Sequence, residues 1–394
     1  MTEASPERLV TPAFVVLAAA TLAFFVAGGI VLPAAPQFAK GPLGASETEV
    51  GIAIASFAIA ALVMRPVVGW ASDRFGRRPL LVGGAAVSIV ALVLHLVAGT
   101  LPMFIAARSL FGAGEAFFFV ACLAAAGDLA PPARRGEAFS FLSLSLYLGL
   151  AIGPPIGELV LRGDDYAPVW IVAAGAAVIA LVLAFLTPET APAVLAREAG
   201  GAPRPRSRLF HPAGLFPGLL ILAGVWGMAG FLTFVPLYVR QLGMDGAGLP
   251  LVLYALIVVG LRIVGARLPD RLGAVRLSGS ALAASGLGLA IMGLVPTPTG
   301  LLVGTAVMAV GVAFTFPALL ALAVSRVVPA ERGVVVGTTS VFLDLAFGLS
   351  PVALGAVVER AGYPTMFMVG AAIALVGSAA LVLRRSAVAA PARA

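Results

Sequence analysis

The sequence predicts an all-α integral membrane protein with twelve transmembrane helices in two homologous six-helix bundles. Three observations lead there. Hydrophobic residues make up 61% of the 394-residue chain and charged residues 11%, with a mean hydropathy of +1.08. Soluble chains sit near half apolar and a quarter charged. Apolar runs of about 18 residues or more recur along the whole length, enough to cross ~30 Å of hydrocarbon at ~1.5 Å per helical residue. The runs are continuous rather than alternating, which argues for helices and against a barrel. Finally, Arg65 stands eight residues before Asp73-Arg74-Phe75-Gly76, and Arg262 eight before Asp270-Arg271-Leu272-Gly273, an offset of 197 that is half the chain. Such self-similarity marks a duplication folded about a pseudo-symmetry axis.

Twelve spans follow in order, near 12–36, 49–70, 79–100, 102–127, 138–161, 167–187, 214–239, 248–268, 276–296, 299–325, 334–358 and 363–383. The first follows a weakly charged start and is too long for a signal-peptide core, so it reads as a retained span. Pro188 to Pro212 is rich in Pro, Ala, Gly and Arg and has no apolar run. It divides the chain into an N-terminal bundle (1–187), a linker (188–212) and a C-terminal bundle (213–394). The repeat continues in register: Pro132, Ala133, Arg135 and Gly136 fall on Pro329, Ala330, Arg332 and Gly333, and Ala116, Phe117 and Phe119 on Ala313, Phe314 and Phe316. Loop residues matching at a fixed offset are harder to obtain by chance than apolar ones.

Orientation follows from arginine, because Lys and Arg in short loops stay on the cytoplasmic side. One set of connections holds Arg74, Arg77, Arg78, Arg134, Arg135 and the linker arginines; the opposite set holds only Lys40, Arg162, Arg240 and Arg360. Both termini are therefore expected in the cytoplasm, in a multi-pass protein of the cell (inner or plasma) membrane. The net charge of +7 belongs to these loops and does not point to nucleic acid as a partner. The lone Cys122 has no companion for a disulfide or a metal site.

Gly69-Trp-Ala-Ser-Asp73-Arg74-Phe-Gly76-Arg77-Arg78 resembles the signature between helices 2 and 3 of the major facilitator superfamily, and the resemblance covers the whole chain. Gly69 is expected to let the second helix approach a neighbour closely. The resemblance implies a cytoplasmic latch built from Gly69, Asp73, Arg74, Gly76, Arg77 and, at the end of the fourth span, Asp128. The alternative is that these arginines serve topology alone.

Arg108-Ser-Leu-Phe-Gly112-Ala-Gly114-Glu115 resembles the family's helix 4 motif. A cation well inside a span costs at least about 2.5 kcal/mol on insertion scales, so Arg108 is functional by default. Glu115 lies two turns on, on roughly the same face. It is a candidate proton-coupling group, or a carboxylate that only neutralises a neighbouring helix. Gly149, Gly153, Pro154 and Gly157 on the fifth span resemble the family's antiporter motif, with Pro154 expected to bend the helix. Ser143, Ser145 and Tyr147 stand where family patterns often carry further glycines. Asp344 is the acid well within the second half's spans, and its repeat mate is Tyr147; a carboxyl buried there either exchanges protons or is a satisfied structural group. Phe24, Phe25, Phe118, Trp226, Phe231 and Thr315 are the remaining cavity candidates, with simple packing as the alternative. His95 reads as a packed histidine, and His211, in the linker, carries no evident chemistry.

No phosphate loop, metal spacing or nucleophile constellation appears, so neither an enzyme nor a cofactor is expected. The resemblance implies a monomeric secondary transporter working by alternating access. The chain contains no asparagine, and Gln37 and Gln241 lie near span ends, which disfavours a sugar site, where each buried hydroxyl wants a partner. The expectation is proton-coupled efflux of a hydrophobic or amphipathic small molecule. A sugar or small-carboxylate permease is the alternative, Arg108 being able to hold a carboxylate. A non-transporting receptor or intramembrane enzyme is the alternative of another class.

Overall fold

The computed structural model describes residues 9–131, 134–191, 211–265, 272–325, 327 and 331–384. Its helices are α1 (Pro12–Lys40), α2 (Glu47–Phe75), α3 (Arg77–Leu96), α4 (Leu101–Leu129), α5 (Arg135–Val160), α6 (Ala167–Leu186), α7 (Leu215–Gln241), α8 (Gly248–Val264), α9 (Ala274–Leu294), α10 (Pro298–Val324) and α11 (Arg332–Leu383), with a 3-10 turn at Pro212–Gly214. The 52 residues of α11 would stretch ~78 Å if straight, far more than one bilayer crossing. Gly362, at φ 78° and ψ 170°, breaks it into arms 332–361 and 363–383. A side chain is disfavoured at that φ. Counting the arms separately, the described residues hold twelve helical segments, as the hydrophobic runs predict, and ten helices are long and apolar enough to cross a membrane. The second copy of the charged stretch, Asp270-Arg271, and most of the linker lie outside the described residues, as do Pro132, Ala133, Pro329 and Ala330.

The chain forms two compact units, Met1–Ala34 with Ala60–Pro205, and Ala35–Ile59 with Arg206–Ala394. The C-terminal end of α1 and the N-terminal part of α2 thus count with the second unit. Within it, a Cβ on Gly51 would collide with the backbone of Pro351, and one on Gly355 with the backbone of Glu47. The two backbones meet because neither position carries a side chain.

Packing extends the repeat. In the first unit α3 lies on α4, and Gly114 sits against the Ser88 hydroxyl; in the second α9 lies on α10, and Gly311 sits against the Ser285 hydroxyl. Both pairs are 197 residues apart, as are Thr100 and Thr297, which precede α4 and α10 as N-caps. Tyr166 and Trp170 at the start of α6 have mates in Tyr363 and Phe367, and all four are buried. In the first unit Trp170 stands 5.0 Å from the buried His95 ring, whose Nδ1 is 2.7 Å from the Ala91 carbonyl. In the second, Phe367 stands 5.4 Å from Tyr238. His95 is thus a packed histidine.

Candidate functional site

In the first unit the site grows from one face of α4. Phe104, Arg108, Phe111, Glu115, Phe118 and Cys122 recur at spacings of three and four, which a 3.6-residue turn places in one stripe. Phe118 stacks on Phe24 of α1 with centroids 4.1 Å apart and planes 8° from parallel, and Phe111 lies 6.4 Å from the same ring. Phe25, next on α1, meets Phe24 and Phe119 edge-on at 5.7 and 5.5 Å. Arg108 is 7% exposed, while Glu115 is half-buried. Charge and carboxylate therefore flank an aromatic stack. Phe24 and Phe118 are fully buried within it, so in this structure they pack helices together, and Phe25 stands at its edge. Further along the stripe, Cys122 Sγ lies 3.3 Å from Thr21 Oγ1 of α1.

The glycines of α5 form a packing seam. α5 runs unbroken through Pro154 and Pro155. Gly149, Gly153 and Gly157 meet α1 at Phe25, Gly29 and Ile30, where the backbones are so close that a Cβ on Gly149 would come within 2.7 Å of Phe25. Small residues four apart make such a contact in a membrane, where close packing replaces the hydrophobic effect between helices. Tyr147 stands half-buried two residues before the first glycine of the seam.

In the second unit Asp344 and Trp226 are half-buried. The Trp226 carbonyl accepts a 2.6 Å hydrogen bond from Ser350, and its indole Nε1 is buried with no hydrogen-bond partner. Phe231 is fully buried, 5.9 Å from Tyr254. Thr315 donates to the Gly311 carbonyl and fills the space beside Gly224. Those two residues are part of the packing between helices.

Where α2 ends and α3 begins, Arg77 Nε donates to Asp128 at 3.1 Å and its Nη1 to the Ser72 carbonyl at 2.7 Å. Arg77 and Asp128 thus meet; the side chain of Asp73 lies outside the described residues. Arg74 is exposed, its guanidinium 5.7 Å from the Trp70 and Phe75 rings. Gly69 departs from expectation: a Cβ there would meet nothing within 4 Å. The close approach on α2 occurs at Gly51 instead, because the Gly69 face is turned to open space.

Sequence reasoning missed Glu189, placed in the linker for want of an apolar neighbour. Its Oε1 accepts from the Arg77 backbone N–H at 2.8 Å and its Oε2 from that of Arg78 at 3.2 Å, while its own turn supplies Thr190 and Ala191. The carboxylate thus satisfies the otherwise orphaned donors that open α3. Arg78 reaches back to the Phe185 carbonyl at 2.7 Å. Gly76 precedes α3 at φ 101°, and a Cβ on it would strike the Glu189 carboxylate. Its mate Gly273 keeps the positive φ, 80°, yet meets nothing. The backbone turn is duplicated; the acid against it is not. The available signal was an acid just past the sixth span, in a chain that places a double arginine at the third.

No group of three or more His, Cys, Asp or Glu side chains stands together among the described residues. The family model described as Major Facilitator Superfamily matches residues 17–347 and 247–393. The chain belongs to the major facilitator superfamily. Among its superfamily relatives, an uncharacterised transporter of Salmonella typhimurium is 31% identical, over 92% of this chain and 94% of that protein. Multidrug resistance protein 1 of Bacillus subtilis is 30% identical over 61% of each. A solved structure of a POT family transporter in complex with a thioalcohol-conjugated peptide superposes with a TM-score of 0.80 at 14% identity, covering 96% of both chains. The human organic anion transporter MFSD10 does so at 0.72 and 20% identity, over 96% of this chain and all of that one. At such identities the structural likeness establishes the superfamily fold. The chain is a multi-pass membrane transporter, in a superfamily that is not enzymatic.

Proposed function

We propose that this superfamily member exports a hydrophobic or amphipathic small molecule in exchange for protons, by alternating access between two homologous six-helix bundles. The observation that carries the reading is the α4 stripe, where Glu115 stands among phenylalanines of α1 and α4. A half-buried carboxyl beside this packed stack can hold a proton or pair with a cationic amphiphile. Asp344 supplies the second acid. The relation to a Bacillus subtilis multidrug resistance protein points the same way. Arg77, Asp128 and Glu189 act as the cytoplasmic latch, and the protein works as a monomer in the cell membrane with both termini in the cytoplasm. Buried Arg108 is the one feature that favours a small carboxylate instead.

Purified protein in liposomes, given an inside-acidic or inside-alkaline gradient and a panel of lipophilic cations, sugars and carboxylates, separates these readings. Gradient-dependent flux of the cations is the expected result. Flux confined to sugars or carboxylates overturns it.

A further inference from the structure

His211 and the head of α11 form a device in the second unit that neither the transport chemistry nor the repeat accounts for. The histidine precedes the 3-10 turn Pro212–Gly214 and is its N-cap: Nδ1 accepts the Ala213 backbone N–H at 3.2 Å. An imidazole nitrogen can accept only while it carries no proton. The other nitrogen, Nε2, lies 3.5 Å from a Glu331 carboxylate oxygen. With Nδ1 accepting, Nε2 is the nitrogen left facing Glu331.

The backbone is pinned at the same place. His211 N–H donates to Thr338 Oγ1 at 3.0 Å, and that hydroxyl donates onward to the Val334 carbonyl at 2.8 Å. Gly214 lies so close to Thr338 that a Cβ would come within 2.9 Å of it. The segment leading into α7 is thus clipped to the first turns of α11 at Thr338, under two turns before Asp344 on the same helix.

Glu331, the N-cap of α11, is the charged group facing the ring among the described side chains. The turn itself contributes only Pro, Ala and Gly, and at the start of α7 the charge is Arg384, 5.2 Å over the Phe216 ring. Protonation of His211 has two opposed local effects. A proton on Nδ1 ends its role as acceptor and leaves the Ala213 N–H unpaired, while Nε2–H gains a charged partner in Glu331. Glu331 is 48% exposed, where an ion pair contributes little; the cap is the more directional interaction. Histidine is the side chain that changes charge between about pH 5 and 8.

We propose that His211 is a cytoplasmic pH-sensitive clip. It holds the segment entering α7 against α11 when neutral and releases the capped turn when the cytoplasm acidifies. The device is separate from proton coupling at Glu115 and Asp344 and stands whatever the substrate.

The test is amide hydrogen exchange over residues 211–219 of the full-length protein at pH 7.5 and pH 5.5, against His211→Asn. Asparagine caps a turn without titrating, and comparing variants at equal pH cancels the intrinsic exchange rate. Equal protection at pH 7.5, and roughly fivefold faster exchange in the unsubstituted protein at pH 5.5, is the expected result. His211→Ala should exchange fast at both values, and Glu331→Gln should leave the pH effect in place. An identical ratio at both pH values overturns the proposal, as does greater protection of the unsubstituted protein at pH 5.5. Transport by His211→Asn at pH 7.5 reports whether that variant is folded; if it is not, His211→Ser, a second cap that does not titrate, takes its place in the same equal-pH comparison.

Discussion

Glu189 shows how much one carboxylate can do at the end of a membrane helix. It closes the start of α3, fixes the turn after α6 and makes glycine obligatory at position 76. Glu189→Ala should lower the stability of the purified protein by about 1 kcal/mol or more, read as a fall in melting temperature. Glu189→Gln, which keeps one acceptor oxygen, should lose less. Gly76→Ala combines a positive φ of 101° with a collision against the same carboxylate, and should cost about as much again. Gly273→Ala meets only the backbone penalty, so it should be the milder of the two. The contrast measures what the acid adds to the turn.

At the scale of helices, the glycines sort by what faces them. Gly153→Leu would drive a side chain into the α1 backbone at Gly29 and should abolish stable insertion or transport. Gly69→Ala should leave melting temperature unchanged, because nothing stands within 4 Å of the added methyl. Equal damage from both would refute the packing assigned to α5 and α1. The helices themselves were legible because hydrocarbon demands continuous apolar runs, and even the last span, 363–383, coincides with the arm beyond Gly362. The seam was harder to read. Gly149, Gly153 and Gly157 announce a thin face, but no sequence pattern says which neighbour a thin face meets. Phe24 and Phe118 looked like cavity aromatics for the same reason: spacing gives the face of α4, not what the face meets. Glu189 was hidden because it lies outside every apolar run.

At the scale of the molecule, the duplication is the strongest thread from residues to function. Ser88 and Gly114 repeat as Ser285 and Gly311, Tyr166 as Tyr363, Gly76 as Gly273. What breaks the symmetry is chemistry: Arg108 and Glu115 fall on Thr305 and Val312, Tyr147 on Asp344, Glu189 on Ser386. A transporter needs a symmetric frame that can adopt two arrangements and asymmetric groups that choose what moves. A bound substrate should also stabilise the fold by mass action, by about 2.7 kcal/mol at a hundred times its dissociation constant, so a thermal-shift panel ranks candidate substrates. The most direct test of proton coupling is concentrative transport in proteoliposomes under an imposed pH gradient, comparing the unsubstituted protein with Glu115→Gln/Asp344→Asn. Loss of gradient-driven accumulation, with the double variant still inserted and folded, is the predicted result. Undiminished accumulation by that variant would contradict the account.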